Sequence, residues 1–219
     1  MCCRFTLNIH PEVLAKTFDL AEIPQYELRY NIAPGQNIVV VRRTGNRNKL
    51  DTLAWGLTTG ISAENDQPVI NIPSESIGTD PLYTAALSGH RCIIPASGFY
   101  DWLPPESQKQ PFYIRLANSS AVGFAGIWNS YRNGDGDDIE TCAILTTEAN
   151  ELVQPINDRM PVILQPEQYN LWLDCSSADT EQLTTELYAP CSAELMVAYP
   201  VPGLVNNLRF DSASCIIHM

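Results

Sequence analysis

Apolar and polar positions alternate over residues 3–8, a period of two that predicts a short strand at the start of the chain. Pro11, followed by Val13, Leu14, Ala15 and Phe18, predicts an amphipathic helix with proline at its first turn, ending between Asp19 and Pro24. Pro34 and Gly35 close an irregular stretch, residues 29–35, ahead of the β-branched run 38–41. A turn at 45–48 then pairs residues 50–57 back as a hairpin, and residues 69–72 form a buried strand that ends at Pro73, which cannot donate to a ladder. Asp80 as a cap and Pro81 at the first turn predict a second helix over 80–87.

Residues 91–102 read as two short apolar strands broken at 95–98, with an acid, Asp101, set between Tyr100 and Trp102. Three more strands are expected at 112–116, 122–128 and 141–145. Short helices are expected at 148–153, 166–172 and 180–187. Residues 155–161 form a loop opening onto a strand at 162–164, and the tail, 196–202 then 206–215, reads as extended chain closing over the core. No repeat, low-complexity stretch or linker interrupts this order. The expectation is a single α+β domain over residues 1–219.

A chain of 219 residues buries about 70% of its unfolded surface without cross-links. The segment after Met1 is too polar for a signal peptide, and no run approaches the roughly 18 apolar residues of a membrane span, so a cytoplasmic protein with no membrane partner is expected. Seven cysteines without CxxC spacing argue against a disulfide framework and a zinc site, and free thiols fit a reducing compartment. The net charge of −12, from 13 basic and 25 acidic residues, weighs against generic nucleic-acid affinity, so any such site must be local. Phosphate loops, HExxH pairs and GxSxG elbows are absent from the sequence, and no cofactor or metal is expected.

What remains is a set of polar residues in turn-rich stretches. Removal of Met1 would leave Cys2 with an α-amine and a thiol on adjacent carbons, a pair that condenses with an aldehyde to a thiazolidine. Both groups are usable near pH 7. From the first five residues alone Cys2 reads first as a small buried apolar residue. Asn31 and Asn71 suit turn caps as well as a site, Asp101 suits an arginine partner, Asn157 is a loop amide, and Arg159 suits a surface charge. Spacing alone favours the structural reading of each and does not choose the chemical one.

The pattern as a whole does. A Met1-Cys2 start, Arg29-Tyr30-Asn31-Ile32-Ala33-Pro34-Gly35, Trp55-Gly56, Asn71, residues 91–96 with Gly98-Phe99-Tyr100-Asp101-Trp102, and residues 158–164 occur in order. Together they resemble the SOS-response-associated peptidase family, the abasic-site processing proteins. The resemblance implies one α+β domain with a curved, barrel-like, mostly antiparallel sheet and flanking helices. It also implies a groove for single-stranded DNA containing abasic sites, removal of Met1 by the protein itself, and a covalent thiazolidine crosslink through Cys2. By the same resemblance Asn71, Asp101 and Asn157 join Cys2 as catalytic positions, and Arg4, Asn31, Pro34, Trp102, Thr146 and Arg159 line or grip the DNA. The alternative is an attenuated member that binds DNA or another partner without a covalent step.

Five departures from the family pattern bear on that choice. Cys3 stands for glycine, Asp101 for glutamate, Asn157 for histidine and Pro73 for arginine, and Ile61-Ser62 replaces aromatic residues. Asn157 cannot exchange a proton near neutral pH, and a general acid or base typically contributes about 10²–10⁴-fold. The expectation is slow but detectable crosslinking.

Overall fold

The structure, a computed structural model, describes residues 3–58, 67–104, 110–175 and 187–219. Its strands β1 (Arg4–Leu7), β2 (Arg29–Ile32), β3 (Asn37–Thr44) and β4 (Arg47–Trp55) come first, with α1 (Pro11–Thr17) between β1 and β2. β1, β3 and β4 follow the alternating and β-branched runs, whereas β2 replaces the first part of the irregular stretch expected at 29–35, because Ile32 and Arg29 pair with Phe5 and Leu7 of β1. After β5 (Asn71–Pro73) comes α2 (Pro81–Gly89), whose first turn is capped by the Asp80 carboxylate accepting from the Leu82 amide at 2.9 Å. β6 (Arg91–Ala96) and β7 (Gly98–Trp102) are separated by Ser97 alone. They are followed by β8 (Pro111–Leu116), β9 (Val122–Arg132), β10 (Asp138–Glu148), β11 (Arg159–Pro161), β12 (Ile163–Leu164), α3 (Tyr169–Leu173) and β13 (Met196–Pro200).

Two sheets result. In one, the pairings β10–β4, β4–β3, β3–β6, β6–β9 and β9–β10 close a five-strand barrel, which leaves those strands no free edge along the closed ring. The other is a five-stranded antiparallel sheet in the order β13-β8-β7-β1-β2. The contacts of β10 with β4 and β5 are parallel and all other ladders are antiparallel. The expected α+β class and barrel-like, mostly antiparallel sheet are both present.

The main core fills the barrel and the space against the second sheet. Phe5 of β1 meets Trp55 edge-on at 5.2 Å and Phe124 at 6.1 Å, and Phe99 of β7 meets Phe124 at 6.1 Å. A smaller cluster of Tyr100, Tyr113, Val201, Val205 and Cys215 lies on the other face of that sheet, under the tail. Strand alternation assigns the faces: Phe99 to the barrel, Tyr100 to the tail, and Asp101 back to the side of Phe99.

Three further expectations are corrected. Residues 148–153 continue β10 and then form turns rather than a helix, because the Asn150 side chain accepts from the Leu152 and Val153 amides at 3.1 and 3.0 Å and fixes a turn. The tail beyond β13 is not extended: it makes short 3-10 turns at Gly203–Asn206 and Ala213–Ile216. The strand expected at 69–72 starts at Asn71 and includes Pro73, while Val69 makes only an isolated bridge to Leu57. The helix expected at 180–187 lies outside the described residues except for Leu187, and Ile61 and Ser62 lie outside them as well.

Gly98, where the chain crosses from the barrel into the second sheet, has no room for a side chain. An added Cβ would lie 2.6 Å from the Ile114 carbonyl oxygen and 2.7 Å from the Tyr113 ring. Gly98→Ala is therefore expected to lower stability by about 1–3 kcal/mol, the usual range for overpacking. Denaturant unfolding measures it, and an unchanged midpoint would contradict this packing.

Candidate active site at the start of the chain

The site follows from the pairing of β1 with β7, in which Arg4 stands opposite Tyr100 and Phe5 opposite Phe99. Extending that register by one residue sets Cys3 opposite Asp101. The two groups sense each other: burial raises the pKa of the Cys3 thiol, the Arg4 charge opposes the rise and the Asp101 charge adds to it. The first two residues, including the expected nucleophile Cys2, lie outside the described residues.

Asp101 is 3% exposed, and burial pushes its carboxyl pKa up. Oδ1 accepts from Asn157 Nδ2 at 2.9 Å and from the Trp102 amide at 3.0 Å, whereas Oδ2 is buried with no hydrogen-bond partner among the described residues. A buried acceptor left open in this way awaits a donor. Asn157 is fixed in turn, since its own Oδ1 accepts from the Arg159 amide at 3.1 Å. The amide therefore takes a definite orientation, nitrogen toward the carboxylate.

β10 carries the other wall. Ile144 pairs with Gly126 of β9 and with Asn71 of β5, and Thr146 pairs with Pro73 of β5 and with Pro161 of β11. β5 and β11 therefore flank the same end of β10 from opposite edges, placing buried Asn71, buried Thr146 and Arg159 on three adjacent strands. Arg159 donates to the Thr146 carbonyl at 2.7 Å. It also grips Glu75 through both terminal nitrogens, at 2.9 and 3.0 Å, and the guanidinium holds the Glu75 carboxyl below the usual carboxylate range.

The remaining expected residues gather at the tail. Arg4 donates to Asn31 Oδ1 at 2.9 Å and to the Val205 carbonyl at 2.8 Å. Asn31 is fully buried and donates to the carbonyls of Val205, Asn207 and Phe210 at 3.2, 3.2 and 2.8 Å, so its side chain ties down the tail instead of facing open space. Asp211 completes the tie, binding the Asn31 amide at 3.0 Å and pairing with Arg29. Trp102 is half-buried and donates to Asn206 Oδ1 at 2.7 Å. With Cys3, Arg4 and Asn206 it lines a cavity of about 420 Å³ beside Asp101. Pro34 is half-buried ahead of Gly35, which adopts a φ of +80°.

Two residues at this site escaped sequence reasoning, Glu75 and Asn206. Each is an exposed polar residue in a short 3-10 turn, and no local pattern marks either. None of the three histidines serves the site: His10 precedes α1, His90 stacks on Trp128 at 4.2 Å, and His218 packs on Tyr199 at 5.0 Å. Among the described residues no three His, Cys, Asp or Glu side chains gather as metal ligands, and no helix is long and apolar enough to cross a membrane.

Comparison with known proteins identifies the family. The family model described as SOS response associated peptidase (SRAP) matches residues 1–208. The abasic site processing protein YoqW of Bacillus subtilis is 36% identical, with 99% of both chains covered, and YedK of Escherichia coli is 28% identical over 99% of both. A crystal structure of a protein from Bacteroides thetaiotaomicron, 22% identical, superposes over 100% of both chains with a TM-score of 0.85 and supports the fold. With the family match spanning nearly its whole length, this chain belongs to the SOS response associated peptidase family.

Proposed function

We propose that this protein acts as one domain that captures abasic sites in single-stranded DNA as a covalent thiazolidine on Cys2. The observation that carries the reading is Asp101. It is a buried carboxylate beside the start of the chain, with one oxygen fixed by Asn157 and the other open to a donor. The names of YoqW and YedK as abasic site processing proteins support it.

The chemistry starts with hydrolysis of the Met1–Cys2 peptide bond: water supplies its oxygen to the methionine carboxyl group and a proton to the new α-amine. That amine attacks the aldehyde carbon of the ring-opened sugar, and loss of water leaves an imine. The Cys2 sulfur then adds to the imine carbon, forming the C–S bond while the thiol proton passes to nitrogen. Asp101 holds the amine and takes up or returns its protons, and Asn71 binds the polar atoms of the opened sugar. Asn157 orients Asp101 but exchanges no proton itself. Arg159 and Arg4 meet the phosphates, and Trp102 stacks an unpaired base beside Thr146 and Pro34, an interaction worth about 1–3 kcal/mol. Asn31 acts at one remove, by holding Arg4.

A second reading, binding without the covalent step, draws support from one observation. The proton-exchanging group expected beside Asp101 is an amide, Asn157. The two readings separate in one assay. Incubation of mature protein with abasic single-stranded DNA is expected to give a slowly accumulating, denaturation-resistant adduct that Cys2→Ser abolishes. Retained DNA binding with no adduct after long incubation would favour the second.

Asn157→His restores a group that titrates near neutral pH. It is expected to speed adduct formation by about tenfold or more, within the range for general acid–base catalysis, and an unchanged rate would show that proton transfer at this position is not limiting.

Asp101→Asn should separate stability from activity. The folded-state pKa of Asp101 is raised, so the group's contribution to stability is fully present below the ordinary aspartate value of about 3.9 and is lost as pH rises through the raised value. Removing the charge is therefore expected to raise the thermal midpoint at neutral pH, less so in acid, while slowing adduct formation. A fall in both at neutral pH would mean that the buried charge is stabilised by a partner.

A further inference from the structure

Arg159 enters the site already occupied. Its two terminal nitrogens form the fork that a phosphate takes up bidentately, and both face the Glu75 carboxylate at 2.9 and 3.0 Å. Thr146 holds the same guanidinium from behind, through its carbonyl at 2.7 Å and its hydroxyl at 3.3 Å, so the group cannot swing to a second anion while keeping those bonds. Arg159 is the less mobile member, with a side chain 17% exposed against 55% for Glu75. Its Nε is buried and has no hydrogen-bond partner among the described residues.

Glu75, by contrast, reaches Arg159 from an exposed position. It sits in the 3-10 turn Ser74–Ser76, whose backbone is anchored by buried Ser74 and Ile77, while its own side chain is exposed. An adjoining cavity of about 480 Å³, lined by Glu75, Gly78, Thr147, Glu148 and Tyr188 among others, gives the carboxylate space once it leaves Arg159. Glu148 on that cavity offers no new cation, so the carboxylate returns to Arg159 when the anion departs.

We propose that Glu75 is an internal competitor of the DNA phosphate for Arg159, a residue that sets how strongly the groove holds a strand. The proposal rests on the reading of Arg159 as a phosphate contact. Strand binding displaces the carboxylate from the guanidinium fork, and the protein pays for part of each phosphate contact by giving up its own ion pair.

The test measures binding of a lesion-free oligothymidylate by fluorescence anisotropy at low ionic strength. It compares the unsubstituted protein, Glu75→Gln, Arg159→Gln and the double variant. Glu75→Gln is expected to bind about fivefold more tightly, the upper end for releasing an exposed ion pair, and Arg159→Gln more weakly. In the Arg159→Gln background the Glu75 substitution should have no effect, which separates competition from a general loss of negative charge. An equal gain in both backgrounds, or no gain in either, overturns the proposal while leaving Arg159 as a phosphate contact if its own substitution weakens binding. If Arg159→Gln binds as well as the unsubstituted protein, or if neither binds, the underlying functional reading fails as well. Glu75→Asp, which keeps the charge on a shorter arm, serves as the folding control and is expected to fall between the unsubstituted protein and Glu75→Gln.

Discussion

The antiparallel pairing of β1 with β7 is the constraint on which this site depends. β7 leaves the barrel through Ser97, whose amide donates to the Thr6 carbonyl at 2.8 Å and whose hydroxyl accepts from the Asn8 amide at 2.8 Å. With the crossing fixed there, the register follows residue by residue, Thr6 to Gly98, Phe5 to Phe99 and Arg4 to Tyr100. A slip of one residue would reverse the faces of whichever strand moved. Either Phe5 would leave the core, or Phe99 would leave it and Asp101 would turn away with it. The apolar contacts of Phe5 and Phe99 with Trp55 and Phe124 thus also secure the polar geometry two residues further along.

The same alternation accounts for the buried charge. Asp101 occupies a position that the strand assigns to the barrel side, and two hydrogen bonds to one of its oxygens only partly compensate for the lost water. Stability would be better served by a neutral residue at this position. Asn157 fixes the carboxylate in place. The tail adds a second, independent support: Asn31, Arg4 and Asp211 bind the tail to β1 and β2, and Asn206 reaches Trp102 at the mouth of the site.

Much of this was legible in the sequence, for identifiable reasons. The β-branched run of β3, the proline-led start of α1 and the Asp80 cap are local signals and produced the expected elements. Asp101 stood out because an acid between Tyr100 and Trp102 breaks an apolar strand. The tail was misread because its 3-10 turns answer to distant partners, the Asn31 amide and the Arg29 guanidinium, and carry no period of their own. Glu75 was invisible for a similar reason, since its partner lies 84 positions away and only β10, with β5 on one edge and β11 on the other, brings the two together. The grouping of Asn71, Asp101 and Asn157 came from resemblance to a family; their spacing alone favoured a structural role.

The most direct measurement is the intact mass of the product formed with an oligonucleotide bearing one abasic site. The account gives the mass of the chain without Met1 plus that of the oligonucleotide less one water, with Cys2 as the modified residue. A product that retains Met1, a linkage at another residue, or unmodified protein that still binds the strand would contradict it.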